Sequence, residues 1–209
     1  MTSITGNGSC SWDTLTAKQK EQDALAREQE TKRLQKARSL DRATIGAIYD
    51  EYHQLIYSYI YRRVGEVELA RDLTADVFRR FLQAIHNGTG PTDNLRAWLY
   101  RVAHNIIVDH YRQLGKQQEF PLQENLILSD HDPSQTAEIR LQTEKVRQAL
   151  NHLTPDQQQV VALKFFEGLS NQEVAEITGK PVGAVKSLQH RALASLQRQL
   201  MPVDEEVPV

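Results

Sequence analysis

The sequence predicts an all-α protein made of two small helical domains joined by a flexible linker. Three observations predict it: apolar residues recur three and four positions apart, no stretch alternates as a β-strand does, and a polar, proline-containing segment separates two helical blocks. The 209 residues are enough for two small domains. We predict five segments: an N-terminal extension (1–41), a first domain (42–116), a linker (117–135), a second domain (136–200) and an acidic tail (201–209).

The N-terminal extension has two parts. Residues 1–12 are rich in Gly, Ser, Thr and Asn, which predicts disorder. Residues 13–41 have good helix propensity but few apolar anchors, which predicts a solvated helix without a core of its own. Three roles remain open for this extension: a disordered tether, a regulatory helix, or an additional site for a partner.

The first domain is predicted to contain three amphipathic helices. A helical period runs through 42–64, restarts after Gly65, and ends in the loop 86–94, which is dense in Gly, Asn, Thr and Pro. A third helix begins at Leu95 and extends to about Leu114. Its apolar face is formed by Leu95, Leu99, Val102 and Ile106.

The second domain follows a linker that contains Pro121 and Pro133, and it begins with a helix over 134–150. Thr154 and Gln157 form a predicted capping box with proline at the first helical position, and that helix ends at Gly168.

A second predicted capping box, Ser170 with Glu173, starts a short helix that ends at Gly179. Pro181 then opens a longer helix. A capped helix of about eight residues, a glycine turn and a helix of about fifteen are typical of a helix-turn-helix motif. Ala175 lies where two crossing helices must approach closely.

The start of the last helix carries residues that can bind DNA. Glutamine can bond base edges, while lysine, serine and backbone N–H groups can hold phosphate. The alternative is a plain helical hairpin whose basic residues only face solvent. The early exposed positions are Val182, Gly183, Ala184, Lys186, Ser187, Gln189 and His190.

The third helix carries a second candidate surface. At 100° per residue, a row beside the apolar face holds guanidinium, amide and indole groups, which can hold phosphate, bond base edges and stack on an unpaired base. Core packing is the favoured alternative for the indole, and solubility is the alternative for the arginines. The row consists of Trp98, Arg101, Asn105, Val108 and Arg112.

The charge is nearly balanced overall but is unevenly distributed. Twenty-five Lys and Arg stand against 27 Asp and Glu, giving a net charge of −2, which excludes a uniformly basic DNA-coating protein. The basic residues concentrate in 96–116 and 180–200, and the latter block contains no acid. The acidic residues concentrate in 117–149 and 201–209. A near-neutral total suits a protein that binds DNA weakly alone and strongly when a partner positions both domains.

The sequence argues against an enzyme, a metal site, a cofactor and a membrane segment. The single cysteine excludes an internal disulfide, the seven histidines lack metal-ligand spacing, and no phosphate loop follows a strand. The N-terminus lacks the features of a signal peptide, and no apolar run is long enough to span a bilayer. We therefore expect a cytoplasmic protein.

Two sets of motifs resemble a known family. Region 2 of bacterial sigma factors is similar to Tyr49-Asp-Glu-Tyr-His-Gln-Leu-Ile-Tyr, Glu68-Leu-Ala-Arg-Asp-Leu-Thr-Ala-Asp-Val-Phe78 and the segment 95–112. Region 4 is similar to Leu153-Thr-Pro-Asp-Gln-Gln-Gln-Val, to the segment 167–179 and to Val182-Gly-Ala-Val-Lys-Ser. Their order and the short linker resemble the extracytoplasmic-function (ECF) subgroup of the sigma-70 family. The resemblance covers residues 42–200.

The resemblance implies a subunit that binds core RNA polymerase, through its clamp helices and flap, and that recognises and opens promoter DNA as duplex and as melted strand. It also implies an anti-sigma factor as a partner. The implied polymerase-binding residues are Asp72, Asp76 and Phe78. The implied minus-ten residues are Asn94, Arg96, Trp98, Arg101, Asn105 and Arg112, with a base captured by the loop 86–94. The implied minus-thirty-five residues are Val182, Gly183, Ala184, Lys186, Ser187, Gln189, His190 and Arg191.

Two other functions compete with this one. A stand-alone helix-turn-helix regulator would bind duplex DNA by itself, with its N-terminal domain used for sensing or dimerisation. A helical interaction protein without DNA binding is the third class. The row along the third helix argues against a simple regulator, and the acid-free block 180–200 argues against a protein that does not bind DNA.

Overall fold

A computed structural model describes residues 12–115 and 137–201, and within these ranges it contains helices and no strand. The predicted all-α class is confirmed. The predictions for 1–11, for 116–136 and for the acidic tail after Met201 lie outside the described residues. The helices are α1 (Trp12–Arg38), α2 (Arg42–Val64), α3 (Val67–His86), α4 (Leu95–Gln113), α5 (Ala137–Asn151), α6 (Pro155–Val161), α7 (Asn171–Thr178) and α8 (Val182–Leu200).

The first helical domain is a bundle of α2, α3 and α4, joined at one end by α1. Asp41 caps α2 by accepting a hydrogen bond from the Thr44 backbone N–H at 2.9 Å, and Gly65 ends α2 in the left-handed conformation. Buried aromatic residues fill the centre, with the rings of Tyr59 and Tyr100 edge to face at 5.3 Å. Leu34 of α1 is also buried in this core.

The second helical domain contains α5 to α8, and its local sequence signals form as predicted. Both capping boxes, Thr154 with Gln157 and Ser170 with Glu173, are present with their reciprocal hydrogen bonds. The helix that begins at Pro155 widens into a π-helical turn over Ala162–Phe166. Gly179 ends α7 with a φ of 68°, which places α8 across α7.

The two domains pack against each other. Helix α4 of the first lies on α7 of the second, and the buried apolar residues of both form one cluster. Val174 and Val185 of the second domain belong to this cluster together with Leu99 and Ile106 of α4. Helix α4 therefore has one face buried in this shared cluster and another face that is exposed to solvent.

Candidate nucleic-acid interface

The loop between α3 and α4, residues 87–94, is called the opening loop below. Its first part is held by the Thr89 N–H, which donates to the Ala84 carbonyl at 2.9 Å. At Gly90, a Cβ atom would lie 3.0 Å from the Ile85 Cδ1 atom, so a larger residue would crowd the end of α3. Asn94 closes the loop as the N-cap of α4, because its side chain accepts from the Ala97 N–H at 2.9 Å.

Three of the predicted minus-ten residues form an exposed row on α4. Arg101, Asn105 and Arg112 are exposed to solvent and follow the spacing of one helix face. Arg112 pairs with Asp109 at 2.8 Å, an exposed contact that contributes little to stability. The side chains of this exposed α4 row are accessible to solvent without any rearrangement of the described residues.

Trp98 lies between the core and the surface. Its ring meets the Phe81 ring edge to face at 5.9 Å, and it packs against the main apolar cluster. Most of the Trp98 side chain therefore packs against the core, as the core-packing alternative expects. Trp98 also lines a cleft of about 700 Å³, together with Arg101 and residues of the opening loop.

The other two predicted minus-ten residues, Asn94 and Arg96, contact the second domain. The Asn94 side-chain amide donates to the Glu173 carboxylate of α7 at 3.3 Å. Arg96 donates to the backbone carbonyl of Glu167. In this arrangement, both side chains are occupied by the helix-turn-helix domain and are not available to a DNA strand.

Glu167 is the centre of the contact between the domains. Its carboxylate is 3% exposed, pairs with Arg62 of α2 and accepts from the Tyr100 hydroxyl at 2.5 Å. Burial, and then the nearby Glu167 charge, raise the pKa of Tyr100 well above its usual range. Glu167, Arg62, Arg96 and Tyr100 are called the Glu167 cluster below.

A second polar contact crosses between the domains beside the cluster. The Gln159 side-chain amide of α6 lies 2.8 Å from the His104 Nδ1 atom of α4. Burial, reinforced by the positive charges of Arg63 and Lys180, lowers the pKa of His104 to about 4. His104 is therefore neutral at pH 7 and accepts a hydrogen bond from Gln159.

Helix α8 presents most of its predicted DNA-reading residues to solvent. No side-chain cap bonds its first turn, so the N–H groups at its N-terminus lack a capping partner in the described part of the chain. Leu188 is only 9% exposed and packs in the core. The predicted residues that are exposed are Val182, Gly183, Lys186, Ser187, His190 and Arg191, with Ala184 and Gln189 half-buried.

The candidate polymerase-binding residues on α3 lie in different environments. Asp72 is exposed, and Asp76 pairs with Arg79 and Arg80 on the same helix. Phe78 is 7% exposed and packs edge to face against Tyr49 at 4.8 Å. Phe78 thus belongs to the α2–α3 contact, and the acidic residues form the accessible part of this set.

Glu167, His104 and Gln159 are interface residues that the sequence analysis did not single out. The only signal for Glu167 was an acidic residue at the end of an apolar run before Gly168.

Within the described ranges, no group of three or more His, Cys, Asp or Glu could hold a metal ion. The helices described there also include none that is long and apolar enough to cross a membrane.

The chain is similar to known proteins over most of its length. The family model for sigma-70 region 2 matches residues 48–117, and the model for sigma-70 region 4 matches residues 143–196. The ECF RNA polymerase sigma factor BldN of Streptomyces coelicolor is 35% identical over 82% of this chain, and the match spans 65% of BldN. The RNA polymerase sigma factor YlaC of Bacillus subtilis is 33% identical over 79% of this chain and 96% of YlaC.

A solved structure has the same fold. The sigma factor RpoE of Bartonella quintana, in complex with the anti-sigma factor NepR, superposes with a TM-score of 0.58 at 21% identity, covering 76% of this chain and 97% of RpoE. Together, two family-model matches in the expected order, two relatives above 30% identity and a shared fold show that the chain belongs to the sigma-70 family of RNA polymerase sigma factors, in its ECF subgroup.

Proposed function

We propose that the two helical domains meet promoter DNA through two different surfaces, with the chain bound to core RNA polymerase. The exposed α4 row and the opening loop would engage the minus-ten element, and the N-terminal half of α8 would read the minus-thirty-five element as duplex. The single observation that carries this proposal is the exposed, helix-spaced row of Arg101, Asn105 and Arg112 beside a loop of irregular backbone. A duplex-only regulator has no need of it.

In this proposal the chain acts by binding and breaks no covalent bond itself. Unstacking a base costs a few kcal/mol, which contacts to the exposed strand and to polymerase must offset. The opening loop lies next to Trp98 and Arg101, which offer a ring and a cation to an unstacked base. Such a role assigns the protein to the cytoplasm, where polymerase and promoter DNA are found.

Full engagement of the minus-ten element would require the two domains to separate, because Asn94 and Arg96 contact the second domain. Polymerase binding through Asp72 and Asp76 on one domain and through the second domain would favour that separation. An anti-sigma factor is the partner that would favour the packed arrangement, as a protein of that class is bound to RpoE.

Run-off transcription with purified core polymerase tests the proposal. The chain should confer initiation from a promoter that core polymerase alone does not use. A protein that shifts duplex DNA alone but gives no promoter-dependent initiation would instead be a stand-alone helix-turn-helix regulator. A protein that does neither belongs to the class of helical interaction proteins.

A further inference from the structure

The end of α1 is built into the first helical domain. Leu34 is 1% exposed and Ala37 is fully buried in the main apolar cluster, and Arg33 pairs with Glu51 of α2 at 2.7 Å. All of these α1 residues precede residue 48, where the region 2 match begins. This chain therefore adds a docked helix to the part of the domain that the family model describes.

The turn between α1 and α2 fixes the direction of α1. Leu40 has a φ of 60°, a left-handed conformation that is disfavoured for a residue with a Cβ atom. The turn is closed by the Leu40 N–H, which donates to the Ala37 carbonyl at 2.9 Å, and by the Asp41 N–H, which donates to the Lys36 carbonyl at 3.3 Å. A disfavoured conformation persists only where surrounding contacts determine it, so α1 has a defined place beside the opening loop.

The Arg38 side chain, at the end of α1, contacts the backbone of the opening loop. Its Nη2 atom lies 3.3 Å from the Gly90 carbonyl oxygen and 3.2 Å from the Pro91 carbonyl oxygen. Adjacent carbonyls in irregular backbone have no helical partner, and a planar guanidinium that donates to both restricts the backbone between them. The contact spans more than 50 residues of sequence, so it belongs to the tertiary structure.

A second side chain of α1, Glu30, lies where the opening loop joins α4. Burial raises the pKa of Glu30, although the positive charge of Arg33 and a hydrogen bond with the Leu95 backbone act in the opposite direction. Leu95 is the first residue of α4. Glu30 and Arg27 also line the cleft that contains Trp98. Helix α1 therefore contacts the middle of the opening loop and the first residue of α4, which follows the loop.

We propose that α1 is part of the strand-opening site, and that Arg38 is a positioning residue that holds the opening loop in the geometry needed by the displaced strand. The inference rests on the proposed function, because it assigns a role within promoter opening. It concerns residues outside the matched region 2, and it requires no contact between Arg38 and DNA.

The variants Arg38→Ala, Arg38→Lys and Lys36→Ala test this role. Lys36 is exposed in the same last turn of α1, so its removal subtracts the same charge without changing the contacts to Gly90 and Pro91. Hydrogen–deuterium exchange of the free protein should show about tenfold faster exchange across residues 88–95 in Arg38→Ala, because a guanidinium contact is lost. Exchange should be unchanged in Lys36→Ala and intermediate in Arg38→Lys.

The same variants are then compared as complexes with core polymerase and promoter DNA. Arg38→Ala should slow promoter opening about tenfold and change the affinity for closed duplex less than about twofold, with partial rescue by Arg38→Lys. Unchanged exchange in the loop would overturn the inference, as would a looser loop with a normal opening rate. Equal slowing by Lys36→Ala would assign the effect to charge and would also overturn it.

Failure of the inference and failure of the proposed function give different results. If the wild-type chain opens a promoter with core polymerase and Arg38→Ala opens it equally fast, only the inference is wrong. If the wild-type chain opens no promoter, the proposed function is wrong and the inference falls with it. In that case the exchange measurement still decides whether Arg38 holds the loop, because it uses the free protein.

Discussion

The two surfaces assigned to promoter DNA differ in how they are placed in the folded chain. On α8, six of the predicted duplex-reading residues are exposed, and the remaining two are half-buried. At the opening loop and α4, Asn94 and Arg96 contact the other domain and Trp98 packs on the core. The predicted duplex-reading surface is thus largely exposed, whereas the predicted strand-binding surface is exposed only in part while the domains are packed together.

The first prediction removes the contact between the two domains at the Glu167 cluster, and it has the largest expected effect. Glu167→Ala removes the partner of Arg62 and Tyr100, so it should weaken the packing between the domains by about 3 kcal/mol. Small-angle scattering should show a larger radius of gyration for the variant, and single-stranded minus-ten DNA should bind more tightly. Binding of duplex DNA by α8 should change little.

The control for this prediction is Glu68→Ala, which removes an exposed ion pair with Arg71 on α3 and should change none of these measurements. A Glu167→Ala protein with unchanged dimensions and unchanged strand binding would show that the Glu167 cluster does not hold the domains together.

The second prediction uses pH to weaken the packing between the domains at a second polar contact, the one between His104 and Gln159. The pKa of His104 is lowered to about 4 in the folded protein, so folding excludes a proton that the unfolded chain binds below about pH 6.5. The stabilisation is therefore complete above pH 6.5 and decreases as the pH falls towards 4. Between pH 7 and pH 5, the free energy of unfolding should drop by about 2 kcal/mol from this group.

Denaturant titrations at several pH values measure this slope. His104→Gln should flatten it, because a neutral amide can still bond Gln159 but does not titrate. His190→Gln, on the exposed face of α8, is the matched control and should leave the slope unchanged. An equal slope in all three proteins would mean that protonation of His104 does not oppose the packed arrangement.

The third prediction compares the two DNA surfaces directly. Arg101→Ala should lower the rate of promoter opening about tenfold while initial duplex binding stays nearly constant, because Arg101 lies beside the opening loop. Lys186→Ala should do the reverse, weakening initial duplex binding with little change in the opening step. Opening and binding can be separated by fluorescence of a base analogue in the minus-ten strand. Equal losses in both steps for either variant would contradict the division of labour between α4 and α8.

The fold could be predicted from the sequence because most of its signals are local. A capping box such as Ser170 with Glu173 spans three residues, and Gly179 marks its turn by itself. The apolar period of α4 likewise assigned Leu95, Leu99 and Ile106 to the core, where they lie. These features depend on backbone geometry over one or two helical turns, which the sequence expresses directly.

The contact between the domains could not be predicted for the opposite reason. The partners of Glu167 are 105, 71 and 67 residues away in the sequence, and its neighbours give no periodic signal. The resemblance to the sigma factor family assigned Arg96 to the DNA surface, but it did not show that Arg96 contacts the second domain. The sequence likewise does not predict the contacts of Arg38 with the opening loop. The N-terminal extension contains few apolar residues, so its pattern does not indicate that it packs against the first domain.

The last prediction concerns the turn between α1 and α2, which directs α1 to the opening loop, and it has the smallest expected effect. Pro181, the residue before α8, has an ordinary φ of −59°, whereas the turn that directs α1 to the opening loop places Leu40 at a φ of 60°. Leu40 is 49% exposed and does not belong to the apolar core, so the main effect of Leu40→Gly is to relieve the left-handed strain. Stability towards urea should rise by about 0.5 kcal/mol, the strain relieved less the extra entropy that glycine adds to the unfolded chain.

Leu114 provides the matched control, because it also ends a helix and is exposed but has a φ of −77°. Leu114→Gly relieves no strain and should lower the free energy of unfolding by about 0.5–1 kcal/mol. Opposite signs for the two variants would show that the strain resides in the α1–α2 turn. A loss of stability in both would mean that Leu40 adopts its conformation without strain, and the direction of α1 would then depend on its side-chain contacts, such as those of Leu34 and Arg38, and not on the turn.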